Sequence, residues 1–343
     1  MTGSIRYPRP LRPGDTVAVT APSAPVRPEH EARLAFVANW LRDRGFDVVL
    51  GECLLGDGIT SAPAHERAAE FTAFLRDPRV RAIVPPWGGE LAIDLVDLID
   101  HDSLCADPTW VVGWSDISTL LLPLTLRSCV ATVHGQNLMD APYALPSGTA
   151  HWLDVVTAPA GTSFVQFDPR VHRHGGFDDW ERLPTADRMD LSEPASWRVL
   201  MGGPDVDVTG RLVGGCLDVV CHLAGTPFGD VGAFARRHEG DGLVVYLENC
   251  EASSLDAARM LHGLRLAGWF DSASAVLIGR TAAPARVGLS QDDAVLDALG
   301  SLDVPIIADV DFGHVPPGNV LVNGALARVV VVGERHEIRQ TLA

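Results

Sequence analysis

Ser115 has the residue type and the position of a nucleophile. It follows a short apolar run, residues 109–113, and precedes a second apolar stretch, residues 117–127, that predicts a helix. A serine at a strand-to-helix turn lies on a tight bend, and the amides of the next helical turn point at the group it attacks. The G-x-S-x-G signature lacks its last glycine here, and serine and aspartate are also preferred N-caps. Catalysis by Ser115 and simple capping by Ser115 or Asp116 therefore both stay open.

Two residues in the second half of the chain could serve such a serine. Glu248 follows the β-rich run 242–247, and His314 comes shortly after the run 305–310. A serine hydrolase needs a base that accepts the hydroxyl proton and a carboxylate that orients the imidazolium, and Ser–Glu–His is one allowed chain order. A metal site formed by Asp309, Asp311 and His314 is the alternative. We rank it below the triad.

The elements before Ser115 predict how these groups are positioned. Strands are expected over residues 16–20, 47–50 and 81–84, and helices over residues 31–44, 65–76 and 90–99. This βαβα alternation predicts a parallel sheet covered on both faces, in a doubly wound α/β fold. Ligands bind such sheets outside the carboxyl ends of the strands, where Ser23, Gly89 and Ser115 would emerge.

The Gly88–Gly89 pair follows the third of these strands. A glycine there can present a bare backbone N–H, and such a group beside Ser115 could form half of an oxyanion hole. A plain turn explains the pair equally well. A dinucleotide site is disfavoured, because G-x-G-x-x-G is absent after both early strands.

The rest of the chain predicts two further regions. We expect an N-terminal domain over residues 1–150, a linker with loops over 151–207, and a smaller mixed α/β domain over 208–343. The linker contains Trp180, which could contact a ligand or pack against the linker. It also contains His172 and His174, which are more often solvated than metal-bound in such a loop.

Composition excludes several functions. The formal charge of −17 and the absence of basic runs argue against nucleic acid and membrane surfaces as partners. With no apolar signal core near the start, we expect a cytoplasmic protein. All 27 basic residues are arginine, so a Schiff-base lysine and a Ser–Lys dyad are excluded. The six cysteines lack metal-site spacing and are expected to be free thiols.

Several separated motifs resemble one family along nearly the whole chain. They are LRPGDTVAVTAPSAP, DPRVRAIVPPWGG, VVGWSDIS, GRLVGGCLDVV, VVYLEN and ADVDFGHVPP. In this order they are similar to the serine LD-carboxypeptidases, a family that includes the microcin C self-immunity peptidases.

The resemblance implies a role for each candidate residue. Ser115 would be the nucleophile, Glu248 and His314 would complete the triad, and the N–H groups of Gly89 and Asp116 would form the oxyanion hole. It also implies a doubly wound N-terminal domain, a smaller C-terminal domain, a homodimer, and no metal or cofactor.

The substrate is less closely specified than the triad. Possible contacts to a small peptide or aminoacyl-nucleotide are Gly88, Glu90, Ser23, Trp180 and Cys216. The chain departs from the family pattern near the site at Leu91, Ala92, Ile93 and Cys216. It also has Ala252 near the point where the immunity branch places a lysine.

We favour hydrolysis of an aminoacyl- or peptidyl-nucleotide, as in the immunity branch, because of the chain length, the His134–Gly135 segment and the tryptophan-bearing linker. The alternatives are trimming of an L,D bond in cytoplasmic cell-wall peptides and an inactive member that only binds its ligand.

Overall fold

A computed structural model describes residues 4–101, 107–173 and 176–343. The α-helices of these residues are α1 (Glu31–Arg42), α2 (Ala64–Arg76), α3 (Ser118–Ser128), α4 (Trp152–Thr157), α5 (Leu217–Val220), α6 (Val231–Arg237), α7 (Ser254–Leu266) and α8 (Gln291–Leu299). The strands are β1 (Thr16–Val19), β2 (Asp47–Leu50), β3 (Val80–Ile83), β4 (Trp110–Gly113), β5 (Thr132–His134), β6 (Ser163–Phe167), β7 (Val171–His172), β8 (Glu193–Pro194), β9 (Arg198–Met201), β10 (Val206–Cys216), β11 (Leu243–Glu248), β12 (Ala273–Gly279), β13 (Ile306–Val310), β14 (Leu321–Asn323), β15 (Leu326–Val332) and β16 (Arg335–Thr341).

The first sheet carries the Ser115 turn. Its strand order in the described residues is β14-β5-β4-β3-β1-β2, and β1 to β5 pair in parallel. Short apolar strands that alternate with helices form such a sheet because the helices cover the apolar faces. The expected doubly wound, mostly parallel arrangement is therefore confirmed.

The second sheet carries Glu248 and leads to His314. Its order is β6-β16-β15-β10-β11-β12-β13-β9, with β10 to β13 parallel and the outer pairs antiparallel. Strands β15 and β16 form an antiparallel hairpin near the chain end. Strand β14, which follows the His314 loop, leaves this sheet and pairs with β5 of the first one. The two halves of the chain are thereby joined next to the candidate site.

The segment 151–207 contains more regular structure than its weak periodicity indicates. It includes α4, and it supplies both edge strands of the second sheet, β6 and β9. Edge strands pair on one side only and are short here, so their sequences carry little alternation.

The prediction of an α-helix over residues 90–99 is wrong. The structure has a 3-10 helix, Ala92–Leu95, because side chains from neighbouring loops bind the backbone at its start. Leu91 N donates to Ser23 Oγ at 3.3 Å, and Ala92 N donates to Asp116 Oδ2 at 2.8 Å. Helix α5 is also short, and the chain continues after it as a 3-10 turn, Cys221–Leu223.

The cysteines of the described residues are free thiols, as expected. Cys105, His174 and Gly175 lie outside the described residues. Within the described ranges, none of the helices has the length and apolar character needed to cross a membrane.

Candidate active site

Ser115 lies on a strained turn at the carboxyl edge of the first sheet. Strand β4 ends at Gly113, a 3-10 turn covers Ser115–Ile117, and α3 begins at Ser118. The φ angle of Ser115 is 59°, a left-handed conformation that is uncommon for a residue with a Cβ. Strain of this kind is typical of a serine presented between strand and helix. No side-chain cap hydrogen bond forms at the start of the turn or of α3, so capping does not account for Ser115.

The Asp116 carboxylate joins three segments around this turn. Its Oδ2 atom accepts hydrogen bonds from Ser23 Oγ at 2.6 Å and from Ala92 N at 2.8 Å, and Oδ1 accepts from Thr119 Oγ1 at 3.2 Å. Ser23 and Asp116 are both buried. The side chain of Asp116 therefore fixes the turn, and these contacts do not use the backbone N–H of Asp116.

The backbone at Gly88 passes directly against Ser115, and the backbone at Gly89 passes against Ser23. A Cβ at Gly88 would lie 2.7 Å from the Ser115 hydroxyl oxygen and 3.0 Å from Asp116 N. Gly89 has a φ of +145°, and a Cβ there would lie 2.4 Å from Ser23 Oγ. Both contacts are closer than real side chains show, so this approach requires glycine at both positions.

Glu248 and His314 form a buried pair in the second half of the chain. Glu248 is the last residue of β11 and is fully buried, whereas 16% of the His314 side chain is exposed. Glu248 Oε2 and His314 Nδ1 are 2.8 Å apart. An ionised carboxylate can only accept, so Nδ1 carries the proton and Nε2 is left for a second partner.

Their charges stabilise each other. Burial by itself would raise the pKa of Glu248, but the charge and hydrogen bond of His314 hold it below its usual value. Burial opposes a charged ring at His314, yet the nearby Glu248 carboxylate raises the pKa of His314 well above its usual value. A histidine paired in this way is a strong base when it is neutral.

Trp114 connects this pair to the serine turn. Its ring stacks on His314 with the ring centroids 6.0 Å apart and the planes 17° from parallel. Because Trp114 immediately precedes Ser115, the stacking brings the loop of the histidine to the turn of the serine. The structure thus gathers Ser115, Glu248 and His314 from two sheets into one region.

His134 is a buried neighbour whose part in the site the sequence does not reveal. It ends β5, beside the end of β4, and its Nε2 atom is 4.0 Å from Glu248 Oε1. Burial lowers the pKa of His134 to about 4, so the ring is neutral. The available signal was its place at the end of a strand adjacent to the serine strand.

Cys216 also lies against the Glu–His pair. It ends β10 opposite Glu248 in the strand register and is 1% exposed. Cys216 Sγ, a Glu248 carboxylate oxygen and a His314 ring nitrogen all lie within 4.8 Å of one another.

Two cavities adjoin the site. The Trp87 cavity has a volume of about 440 Å³, and its lining includes Trp87, Gly88, Gly89 and Glu90. The His314 cavity has a volume of about 610 Å³, and its lining includes Cys250, Arg280 and His314. Open space therefore adjoins both the Gly88–Gly89 backbone and the His314 ring.

Trp180 packs beside the first cavity. Its ring stacks on Trp87 with the centroids 6.4 Å apart and an interplanar angle of 7°. Its indole Nε1 donates to the Tyr143 hydroxyl at 2.8 Å. Burial, with the nearby Glu251, Asp116 and Asp218, raises the pKa of Glu90 on the cavity wall.

The carboxylates of the alternative metal site are engaged by other groups. Asp309 Oδ2 accepts from Arg198 Nε at 2.5 Å, and Asp311 Oδ2 accepts from Trp197 Nε1 at 2.6 Å. Asp311 also pairs with Arg280 at 3.3 Å. These contacts favour a structural role for both aspartates.

The residues near the site that depart from the family pattern differ in solvent exposure. Leu91 and Ile93 are exposed, whereas Ala92 and Ala252 are buried. Ala252 N donates to Asp218 Oδ1 at 2.9 Å, so this position contributes backbone to the loop after Glu248.

A serine on a strand-to-helix turn near a buried Glu–His pair is the layout of a hydrolase. The model of the LD-carboxypeptidase N-terminal domain matches residues 17–135, and that of the LD-carboxypeptidase C-terminal domain matches residues 209–329. The chain belongs to the LD-carboxypeptidase family.

Relatives in three organisms carry carboxypeptidase names. A putative carboxypeptidase of Streptomyces coelicolor is 30% identical over 317 residues, covering 90% of this chain and 87% of the relative. A putative carboxypeptidase of Vibrio cholerae is 26% identical and covers 91% of each chain. A probable murein peptide carboxypeptidase of Bacillus subtilis is 26% identical and covers 94% of this chain and 92% of the relative.

Solved structures share the fold. The microcin C7 self-immunity protein MccF in complex with aspartyl sulfamoyl adenosine matches with a TM-score of 0.82 at 20% identity, over 97% of this chain and 98% of the other. A muramoyltetrapeptide carboxypeptidase from Oxalobacter formigenes matches with a TM-score of 0.70 at 19% identity, over 95% and 98%. The two-domain architecture is therefore that of this family.

Proposed function

We propose that the protein is a serine peptidase that hydrolyses an amide through an acyl-enzyme. The observation that carries this proposal is the buried Glu248–His314 pair, 2.8 Å apart, beside the strained Ser115 turn. His314 takes the proton of Ser115 as the hydroxyl attacks the carbonyl, and Glu248 keeps the ring in the required tautomer. The protonated ring then gives its proton to the leaving amine, and water later releases the acyl group by the same route.

The N–H groups of Gly89 and Asp116 stabilise the oxyanion in this proposal. The close approach of Gly88, the residue before Gly89, to Ser115 supports it, as does the use of the Asp116 side chain in fixing the turn. Loss of one oxyanion donor typically costs about 2.7–4 kcal/mol of barrier. The buried Ser23 contributes indirectly, because its hydroxyl binds the Asp116 carboxylate.

The favoured substrate is an aminoacyl- or peptidyl-nucleotide. The stacked Trp87–Trp180 pair next to the Gly88–Glu90 wall offers aromatic surface for a base, and aromatic faces bind bases by stacking. The self-immunity protein MccF, which shares the fold, was solved with aspartyl sulfamoyl adenosine. Cys216 lies next to the carboxylate of the pair, where a change of side chain would alter the acyl side of the site.

A cell-wall peptide is the second candidate substrate. It is favoured by the relative named as a probable murein peptide carboxypeptidase and by the absence of lysine from this chain, including the position near Ala252. A cytoplasmic location and a homodimer belong to both versions of the proposal.

A two-substrate assay tests the function. Wild type and Ser115→Ala are incubated with an L,D-tetrapeptide and with an aminoacyl-sulfamoyl adenosine, and products are measured by mass spectrometry. We expect wild type to cleave the nucleotide substrate faster and Ser115→Ala to be inactive while folded. Cleavage of the tetrapeptide alone would support the second candidate. Binding of either compound without cleavage by wild type would indicate an inactive family member and overturn the proposal.

A further inference from the structure

Three side chains of different chemistry lie close together at the Glu248–His314 pair. They are the thiol of Cys216, the carboxylate of Glu248 and the imidazole of His314, with ligand atoms within 4.8 Å of one another. Sulfur, oxygen and nitrogen donors of these types bind zinc, and sites with three protein ligands leave a fourth position open. Cys216 is the member of the three that departs from the family pattern.

We propose that Cys216, Glu248 and His314 bind a zinc ion and that the bound ion inhibits the hydrolase. The thiolate and the carboxylate would carry two negative charges, which the dication balances. A neutral complex suits this location, since Cys216 is 1% exposed and Glu248 is fully buried.

The surroundings meet two further requirements of a metal site. The His314 cavity, about 610 Å³, gives an ion access from the side of the ring and of Cys250. Asp218 lies behind the thiol, with Oδ2 3.6 Å from Cys216 Sγ, and the same oxygen accepts from Cys250 N at 2.9 Å. A second carboxylate at this distance favours a cation and can orient the ligands.

The protons show why binding would inhibit. Cys216 loses its S–H proton to solvent as the zinc–sulfur bond forms. His314 must offer the lone pair of Nδ1, so the neutral ring carries its proton on Nε2 instead. That nitrogen can then no longer accept the proton of Ser115. Zinc also takes up the carboxylate that otherwise orients the ring.

Cobalt is the probe for the binding test because its tetrahedral thiolate complexes absorb visible and near-ultraviolet light. Wild type is titrated with Co²⁺, followed by competition with Zn²⁺, and compared with Cys216→Ala and the near-isosteric Cys216→Ser. Cys221→Ala is the matched control, because this partly buried thiol donates to the Asp218 carbonyl at 3.7 Å and lies outside the cluster.

We expect one thiolate-bound cobalt per wild-type chain, displaced by zinc. Loss of a residue that only holds a metal ligand in place costs about 10–100-fold in metal affinity. Loss of Cys216, which is itself a ligand in this proposal, should therefore weaken cobalt binding at least about 100-fold. Cys221→Ala should bind as wild type does. An absent thiolate band in wild type, or unchanged affinity in both Cys216 variants, would overturn the site.

The inhibition rests on the proposed function, whereas the binding does not. Zinc should inhibit wild type over the same concentration range in which it displaces cobalt, and a chelator should restore turnover. Zinc that binds through Cys216 without lowering turnover would overturn the inhibitory role. An enzyme without amidase activity that still binds cobalt through Cys216 would support the site and refute only the proposed function.

Discussion

Replacing Glu248 by glutamine removes one charge from the site and leaves its volume nearly unchanged. At the observed separation of 2.8 Å, the attraction between the carboxylate and a protonated His314 ring is about 6 kcal/mol for an effective dielectric of about 20. If most of this attraction is felt in the transition state, kcat falls roughly 10⁴-fold, since each 1.36 kcal/mol is a factor of ten. Removal of a triad carboxylate in a serine protease has an effect of this size.

The assay is kcat/KM for the amide that wild type cleaves, measured with Glu248→Gln and the control Glu239→Gln. Glu239 is exposed and precedes the start of β11, whereas Glu248 ends that strand, so substitution of Glu239 changes the net charge equally without touching the His314 ring. We expect the control to keep its activity within a few-fold. Circular dichroism and thermal unfolding verify that the buried substitution is folded. A folded Glu248→Gln protein that loses less than about tenfold would refute the role of this carboxylate.

Three further predictions follow from the same geometry. Gly88→Ala places a Cβ 2.7 Å from the Ser115 hydroxyl and should lower kcat/KM at least about 100-fold, whereas a near wild-type rate would contradict the close approach. Because the pKa of His314 is raised by Glu248 and the base must be neutral, activity should fall as pH drops through a value above the ordinary 6.5; a kcat/KM limb at or below 6.5 would disagree. His134→Phe removes the nitrogen 4.0 Å from Glu248 Oε1 and should lower kcat and shift this limb, while His134→Gln should restore part of both; equal behaviour of the two variants would rule out a positioning role.

The elements around the serine were predictable because local signals agree there. The strand at Trp110–Gly113 and helices Glu31–Arg42 and Ala64–Arg76 have apolar spacing and end signals that match the fold. The structure of the stretch after Gly89 was not predictable, because tertiary hydrogen bonds to Ser23 and the Asp116 carboxylate replace the start of a regular helix. Such contacts come from distant parts of the chain and leave no periodic pattern.

In the candidate site, too, local sequence signals predict some features and tertiary contacts determine the others. Periodicity places Glu248 at a strand end and His314 in the loop after a strand, but the order of strands in the second sheet brings Glu248 Oε2 and His314 Nδ1 to 2.8 Å, and that order is not encoded locally. His134 and Cys216 come to the pair through strand pairing in the two sheets. Their positions beside the Glu248–His314 pair therefore became apparent only in the folded structure.

Covalent labelling of Ser115 tests the central claim most directly. Wild type, Ser115→Ala and His314→Ala are treated with a serine-reactive fluorophosphonate, and the labelled peptide is located by mass spectrometry. We predict one label per wild-type chain, attached to Ser115, no label in Ser115→Ala, and much slower labelling in His314→Ala. A folded, active wild-type protein that is not labelled at Ser115, or one labelled at another residue with matching loss of activity, would contradict the account.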